Sequence, residues 1–283
     1  MRQLTSGALL DAVRGVHWPA RRVSGGAFQG AHRSSRVGSA PEFMQYRPYQ
    51  QGDDPSKIDW KLFGRTERVA IRLAHDDSSL RTMVVVDASA SMAFPADSLA
   101  KWELAAGVAL GLVAVAHGDN DPCGLAVGGE DPRSLPPRTR RGTVASALRL
   151  LLDTTPRGSA PLAPVLASVG NARRLVLISD FLGDAEALLE QARELGARGR
   201  EVYAVHVVAT EELDPRAQGE VVHDPESDAY RRPLDSVTLP AYREAFSLWR
   251  DQLAARWRAA GVVYTLATTA ESPERVVRRV AAP

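Results

Sequence analysis

Asp87, Ser89 and Ser91 stand at alternate positions directly after the apolar run Met83-Val84-Val85-Val86. One carboxylate and two hydroxyls on a short loop form a set of hard oxygen donors. Such a set suits Mg2+, Mn2+ or Ca2+ rather than zinc or copper. A second carboxylate, Asp180, follows a similar run, Leu175-Val176-Leu177-Ile178-Ser179, and Ser159 offers a third hydroxyl just ahead of a helical stretch opening at Pro161. Ligands of open α/β sheets bind beyond the carboxyl ends of the strands. Two aspartates at two such ends can therefore share one crevice. A plainer reading stands beside this one, in which Asp87 only caps the turn or the helix that follows.

The elements needed to hold these residues are legible as a strand–helix alternation. Strands are expected at Thr82–Val86, Cys123–Val127, Arg174–Ser179, 202–208 and 262–267. The run Leu175-Val176-Leu177-Ile178 is of the continuous apolar type found in parallel sheets covered on both faces. Between them lie helical segments at 98–116, with Ser98 as its cap, then 142–152, 161–169, 184–196 capped by Asp184, 239–261 and 273–280. Alternation of this kind predicts an α/β fold with a doubly wound, mostly parallel sheet. Residues 219–234 interrupt the alternation and read as an inserted hairpin. Upstream, a short helix is expected within 4–16, and residues 24–38, rich in Gly, Ser and Arg, read as loop. Residues 58–63 and 68–73 flank Gly64-Arg65-Thr66-Glu67, and Val69, Ile71 and Leu73 alternate with Ala70 and Arg72. That pattern predicts a β-hairpin outside the main sheet, with Trp60 packing it down. The expected division is an N-terminal segment with a small β-rich appendage over 1–78 and an α/β domain over 79–283.

The bulk composition narrows the classes. A chain of 283 residues with 45% hydrophobic and 24% charged residues is an ordinary globular composition. One cysteine, Cys123, excludes an internal disulfide and a thiolate metal cage, and reads as a small buried hydrophobe. No stretch of eighteen consecutive apolar residues is present; the longest apolar run, 104–116, reads as a core helix, and a cytoplasmic protein is expected. Residues 1–72 carry twelve Lys and Arg against six Asp and Glu, a net +6 set against −5 in the remainder. A basic segment of this kind could face nucleic acid or an acidic partner, or could simply be a solvated arm. The six histidines show no His-x-x-x-His spacing.

Asp87-x-Ser89-x-Ser91, a loop hydroxyl before a helix at Ser159, and the strand-end Asp180 together resemble the metal-ion-dependent adhesion site of von Willebrand factor type A domains. The chain departs from that pattern at Gly158-Ser159, where threonine is usual; serine keeps the hydroxyl but loses the methyl that restricts its rotamer. Upstream, Tyr46-Arg47-Pro48-Tyr49-Gln50-Gln51-Gly52-Asp53-Asp54-Pro55-Ser56-Lys57-Ile58-Asp59-Trp60-Lys61 is similar to the signature of an uncharacterised bacterial family. Members of that family have a von Willebrand type A-like body and are often associated with MoxR-type AAA+ ATPases. The resemblance implies a metal set of Asp87, Ser89, Ser91, Ser159 and Asp180 holding Mg2+, with Mn2+ or Ca2+ as substitutes. It also implies a non-catalytic adaptor whose partner, a MoxR-type ATPase, offers an acidic residue to the metal.

Two other functions compete. A phosphohydrolase using Asp87 would want a carboxylate where Ser89 stands, and the chain has neither a Gly-x-Ser-x-Gly elbow nor a Gly-x-x-x-x-Gly-Lys phosphate loop. A nucleic-acid binder acting through the basic N-terminal segment would want a helix-turn-helix or an aromatic platform, and neither is readable.

Overall fold

The computed structural model describes residues 6–21, 45–49, 58, 60–73, 80–183, 185–215, 221–224, 227–233 and 237–282. The loop at 24–38, most of the signature between Gln50 and Asp59, the expected cap Asp184 and the Pro225-Glu226 turn lie outside them.

The chain divides into two compact units, Ser24–Ser79 and the rest, Met1–Val23 with Leu80–Pro283. Helix α1 (Ser6–Ala12) belongs to the larger unit, where Leu9, Val13 and Trp18 are buried. The boundary expected at 78/79 had left this segment in the appendage. In the smaller unit, β1 (Gln45–Pro48) pairs antiparallel with β2 (Ala70–Leu73), and between them lies α2 (Trp60–Thr66). The alternating run is thus a strand, but 58–63 is not its hairpin partner. Trp60 is 63% exposed and lies edge-on to Phe63.

The larger unit alternates as its sequence pattern requires. Its elements are β3 (Thr82–Val86), a 3-10 turn at Ala90–Ala93, α3 (Ala100–Gly118), β4 (Cys123–Val127), β5 (Arg133–Arg138), α4 (Thr143–Leu152) and α5 (Ala163–Ala167). They continue with β6 (Arg174–Ser179), α6 (Ala185–Ala197), β7 (Glu201–Val208), α7 (Thr210–Leu213), the antiparallel pair β8 (Val221–Asp224) and β9 (Ser227–Pro233), α8 (Thr238–Ala259), β10 (Val263–Thr268) and α9 (Pro273–Ala281). The six-stranded sheet runs β10-β7-β6-β3-β4-β5, parallel throughout except at β5. Numbered by their own order in this unit, the strands form the doubly wound arrangement 3-2-1-4-5-6.

Both faces of the sheet are covered, which is why β3 and β6 are apolar without alternation. Val84 and Val86 enter one core with α1, α3, α4 and α9, whereas Met83 and Val85 enter the other with α5, α6 and α8. Helix α3 is apolar on all sides. By length and composition it could cross a membrane, but 78% of that stretch is buried within this protein, and it serves as the central core helix. Its close approach to α9 depends on Gly111, where an added Cβ would lie 2.6 Å from Val277 Cγ2. Ser98 does not cap α3. Leu99, in the left-handed region at φ 52°, stands at the cap position instead.

Strand β5 escapes a sequence reading because Arg-Ser-Leu-Pro-Pro-Arg carries two prolines, which cannot donate to a ladder. The strand is tolerated because it lies at the sheet edge. Cys123, beside it, is buried, and burial together with the charge of Asp121 pushes its thiol up to about 12. Iodoacetamide at pH 8 is therefore expected to leave the native thiol unlabelled and to modify it fully in denaturant. Labelling of the folded protein at the rate of a free thiol would contradict this burial.

Candidate metal centre

The strand order reverses between β3 and β6, and the loops leaving these two strands form the crevice of the switch point. Their register sets Val86 opposite Ile178, and the Asp87 N–H donates to the Ile178 carbonyl at 2.9 Å. Asp87 and Asp180 thus leave adjacent strand ends. The 3-10 turn at Ala90–Ala93 folds Ser91 back toward Ser89, and their Oγ atoms stand 3.0 Å apart. A third loop joins through backbone bonds: the Ala90 N–H donates to the Gly158 carbonyl at 2.8 Å, and the Arg157 N–H to the Ala88 carbonyl at 2.9 Å. This brings the 157–159 loop alongside the Asp-x-Ser-x-Ser loop. Ser159 itself is exposed, unlike Asp87, Ser89, Ser91 and Asp180, which are all buried.

The two aspartates are held in different ways. Asp87 Oδ1 accepts from the Ser89 N–H at 2.8 Å and Oδ2 from Ser179 Oγ at 2.6 Å. Both donors are neutral, and among the described residues Asp87 has no ion-pair partner. Burial first, and the nearby charge of Asp180 second, push its carboxyl above the usual range. Asp180, by contrast, is paired. Its Oδ2 accepts from the Lys101 ammonium at 2.6 Å, and its Oδ1 from the Leu182 N–H at 3.2 Å. Lys101 also donates to Glu212 Oε1 at 2.9 Å, and its side chain is wholly buried. Glu212 Oε2 accepts from the Ala209 N–H at 2.7 Å, which fixes the carboxylate at the start of α7.

The donor set fits a hard divalent cation at the Asp87 end. Oxygen ligands at ~2.1 Å in an octahedron place neighbouring oxygens roughly 3 Å apart, and the two serine hydroxyls already have that separation. Among the described residues, the buried Asp87 carboxyl beside them has no cationic partner. Among the described residues no group of three or more His, Cys, Asp or Glu side chains forms a ready-made cage, so the set depends on hydroxyls. Ser179, Lys101 and Glu212 were not anticipated. Ser179 is the residue before Asp180 at the end of β6, a position that could have flagged it. Lys101 and Glu212 carry no such signal, since their partners are 79 and 111 residues away along the chain.

The doubly wound sheet with its one antiparallel edge strand, and the oxygen-rich loops at its switch point, define an α/β protein with its candidate site at the carboxyl ends of the central strands. Residues 45–251 match the family described as "Protein of unknown function DUF58", and the chain belongs to it. It is similar to the uncharacterized proteins Rv1480 of Mycobacterium tuberculosis and Mb1516 of Mycobacterium bovis, each 29% identical over 285 residues, covering 96% of this chain and 89% of the relative. Among solved structures it is similar to the conserved hypothetical protein BatB of Bacteroides thetaiotaomicron (17% identity, TM-score 0.44, 70% of this chain and 95% of that one). It is likewise similar to an aerotolerance-related membrane protein of Bacteroides fragilis (17% identity, TM-score 0.46, 71% and 97%).

Proposed function

We propose that this protein is a non-catalytic, metal-dependent adaptor that captures an acidic side chain of a protein partner at the Asp87 end of the switch point. The reading carries with it a cytoplasmic setting and a MoxR-type AAA+ ATPase as partner, in chaperone-like assembly or remodelling of a client. One observation carries it above the others: a buried carboxylate paired only with neutral donors, beside two serine hydroxyls at the spacing of cation ligands.

Asp87, Ser89 and Ser91 would hold the ion, with Ser159 on the adjoining loop and Asp180 behind. Bound Mg2+ would supply an electrophilic coordination position for an incoming carboxylate. Asp87 orients the site through the two hydrogen bonds that fix its plane, and Ser179 keeps that carboxylate from rotating. Ser89 and Ser91 contribute oxygens without charge, so few anions of the chain itself compete with the partner's.

The test is capture of the cognate ATPase by the wild-type chain and by Asp87→Ala, each in Mg2+ and in EDTA. Wild type in Mg2+ should retain the ATPase. The other three conditions should lose it by about tenfold or more, the scale of losing one ligand or charge-assisted contact of a metal site. Equal retention in all four would remove the metal from the mechanism.

A further inference from the structure

We propose that Lys101 is a positioning residue that keeps Asp180 from becoming a direct ligand of the cation and so sets the site's preference for an acidic partner side chain; the inference rests on the metal-dependent reading above. Lys101 is the second residue of α3, a place where a positive charge opposes the helix dipole. Its side chain is fully buried, at a desolvation cost that an apolar residue of similar size would avoid. Neither helix propensity nor packing accounts for a lysine there. Its partners do: the ammonium lies between Asp180 Oδ2 at 2.6 Å and Glu212 Oε1 at 2.9 Å.

Glu212 is not free to withdraw. Its second oxygen is held by the Ala209 N–H, and its own carbonyl accepts from the Tyr242 hydroxyl at 3.1 Å. With Leu182 N–H on the other oxygen, Asp180 is occupied on both sides. Two carboxylates at adjacent strand ends are thereby divided, one paired with an internal cation and the other left to an external one. A cation held by Asp87 and two hydroxyls stays short of anionic ligands and gains more from a partner's carboxylate than one that also binds Asp180 directly.

The inference predicts an uncommon sign: removing Lys101 should strengthen metal binding. Lys101→Met should bind Mn2+, titrated alone into the full chain, about tenfold more tightly than wild type, since one nearby positive charge is lost and one carboxylate released. Lys101→Met/Asp180→Asn should show no gain over Asp180→Asn. Acetate should strengthen Mn2+ binding to wild type and do so less in Lys101→Met, because the two ligands are reciprocally coupled. If circular dichroism shows that Lys101→Met does not fold, Lys101→Met/Glu212→Gln leaves one buried carboxylate fewer and takes its place with the same expected gain. A lysine with a merely structural role would give weaker binding in these variants. Wild type that binds Mn2+ while the variants bind equally or more weakly overturns the role of Lys101 alone, as does an equal acetate effect in both. Wild type that takes up no Mn2+ overturns the metal reading itself.

Discussion

Arg174→Met is expected to lower the stability of the α/β body by about 3–5 kcal/mol, the usual cost of breaking a buried ion pair from one side. Arg174 opens β6 with its side chain fully buried. Its guanidinium reaches Glu201 at 3.1 Å and Asp121 at 3.7 Å, donates to the Trp18 and Pro19 carbonyls at 3.0 and 2.9 Å, and lies 4.2 Å from the centre of a Trp18 ring. One side chain therefore ties the segment after α1 to the amino-terminal edge of the sheet. Glu201 completes the tie by accepting from the Arg21 N–H at 2.6 Å. Methionine fills much of the volume but leaves two shielded carboxylates without their cation. Urea denaturation of the full chain should give the loss, and hydrogen exchange should rise first in residues 6–21. Arg174→Met/Glu201→Gln should recover at least ~1 kcal/mol, because it removes one of the stranded charges. A double variant no more stable than the single would place the effect in packing rather than charge.

The architecture was legible because burial on both faces leaves a plain mark. Strands β3, β6 and β7 are short apolar runs bounded by polar residues, and no amphipathic helix imitates them. What periodicity does not encode is pairing. Val69, Ile71 and Leu73 mark out β2, yet its partner is β1, more than twenty residues upstream, rather than the adjacent 58–63. Strand β5 was hidden by Pro136 and Pro137, which exclude a central strand but not an edge one.

The candidate site was legible in its oxygen donors and illegible in its charges. Asp87, Ser89 and Ser91 are neighbours in sequence, so local spacing brings them together whatever the rest of the chain does. Asp180 was placed by the rule that strand ends converge at a switch point. Lys101 has no such route. A lysine in the first turn of a helix reads as a solvated surface residue, and only the packed fold shows that α3 is buried on every side and that the ammonium ends at Asp180. The pairing joins three elements, α3, β6 and α7, that no sequence pattern relates.

His206 should impose an acid-sensitive loss of stability of about 3 kcal/mol on the native state. It lies buried on β7, its ring 5.7 Å from Phe181, 5.5 Å from Trp249 and 5.9 Å from Tyr264, with Nδ1 2.6 Å from the Tyr264 hydroxyl. Burial drives its pKa down to about 4; the charges of Lys101 and Arg250 act in the same direction, and that of Asp180 opposes them. An unfolded histidine titrates near 6.5. Between these values the unfolded chain binds a proton that the folded chain refuses, so stability is full above pH 6.5 and is lost as pH falls toward 4. Raised carboxyls at Asp87, Asp121 and Glu212 work the other way, since the folded chain binds their protons more readily and acid relieves them. The total pH profile therefore mixes opposing terms, and the difference between wild type and His206→Gln isolates one. The amide does not titrate and can still meet the Tyr264 hydroxyl. Wild-type stability minus that of the variant should fall by about 3 kcal/mol from pH 7 to pH 4 in denaturant titrations. A difference that stays constant across this range would mean that His206 accepts a proton in the folded protein as easily as in the unfolded one, which its aromatic surroundings do not allow without opening.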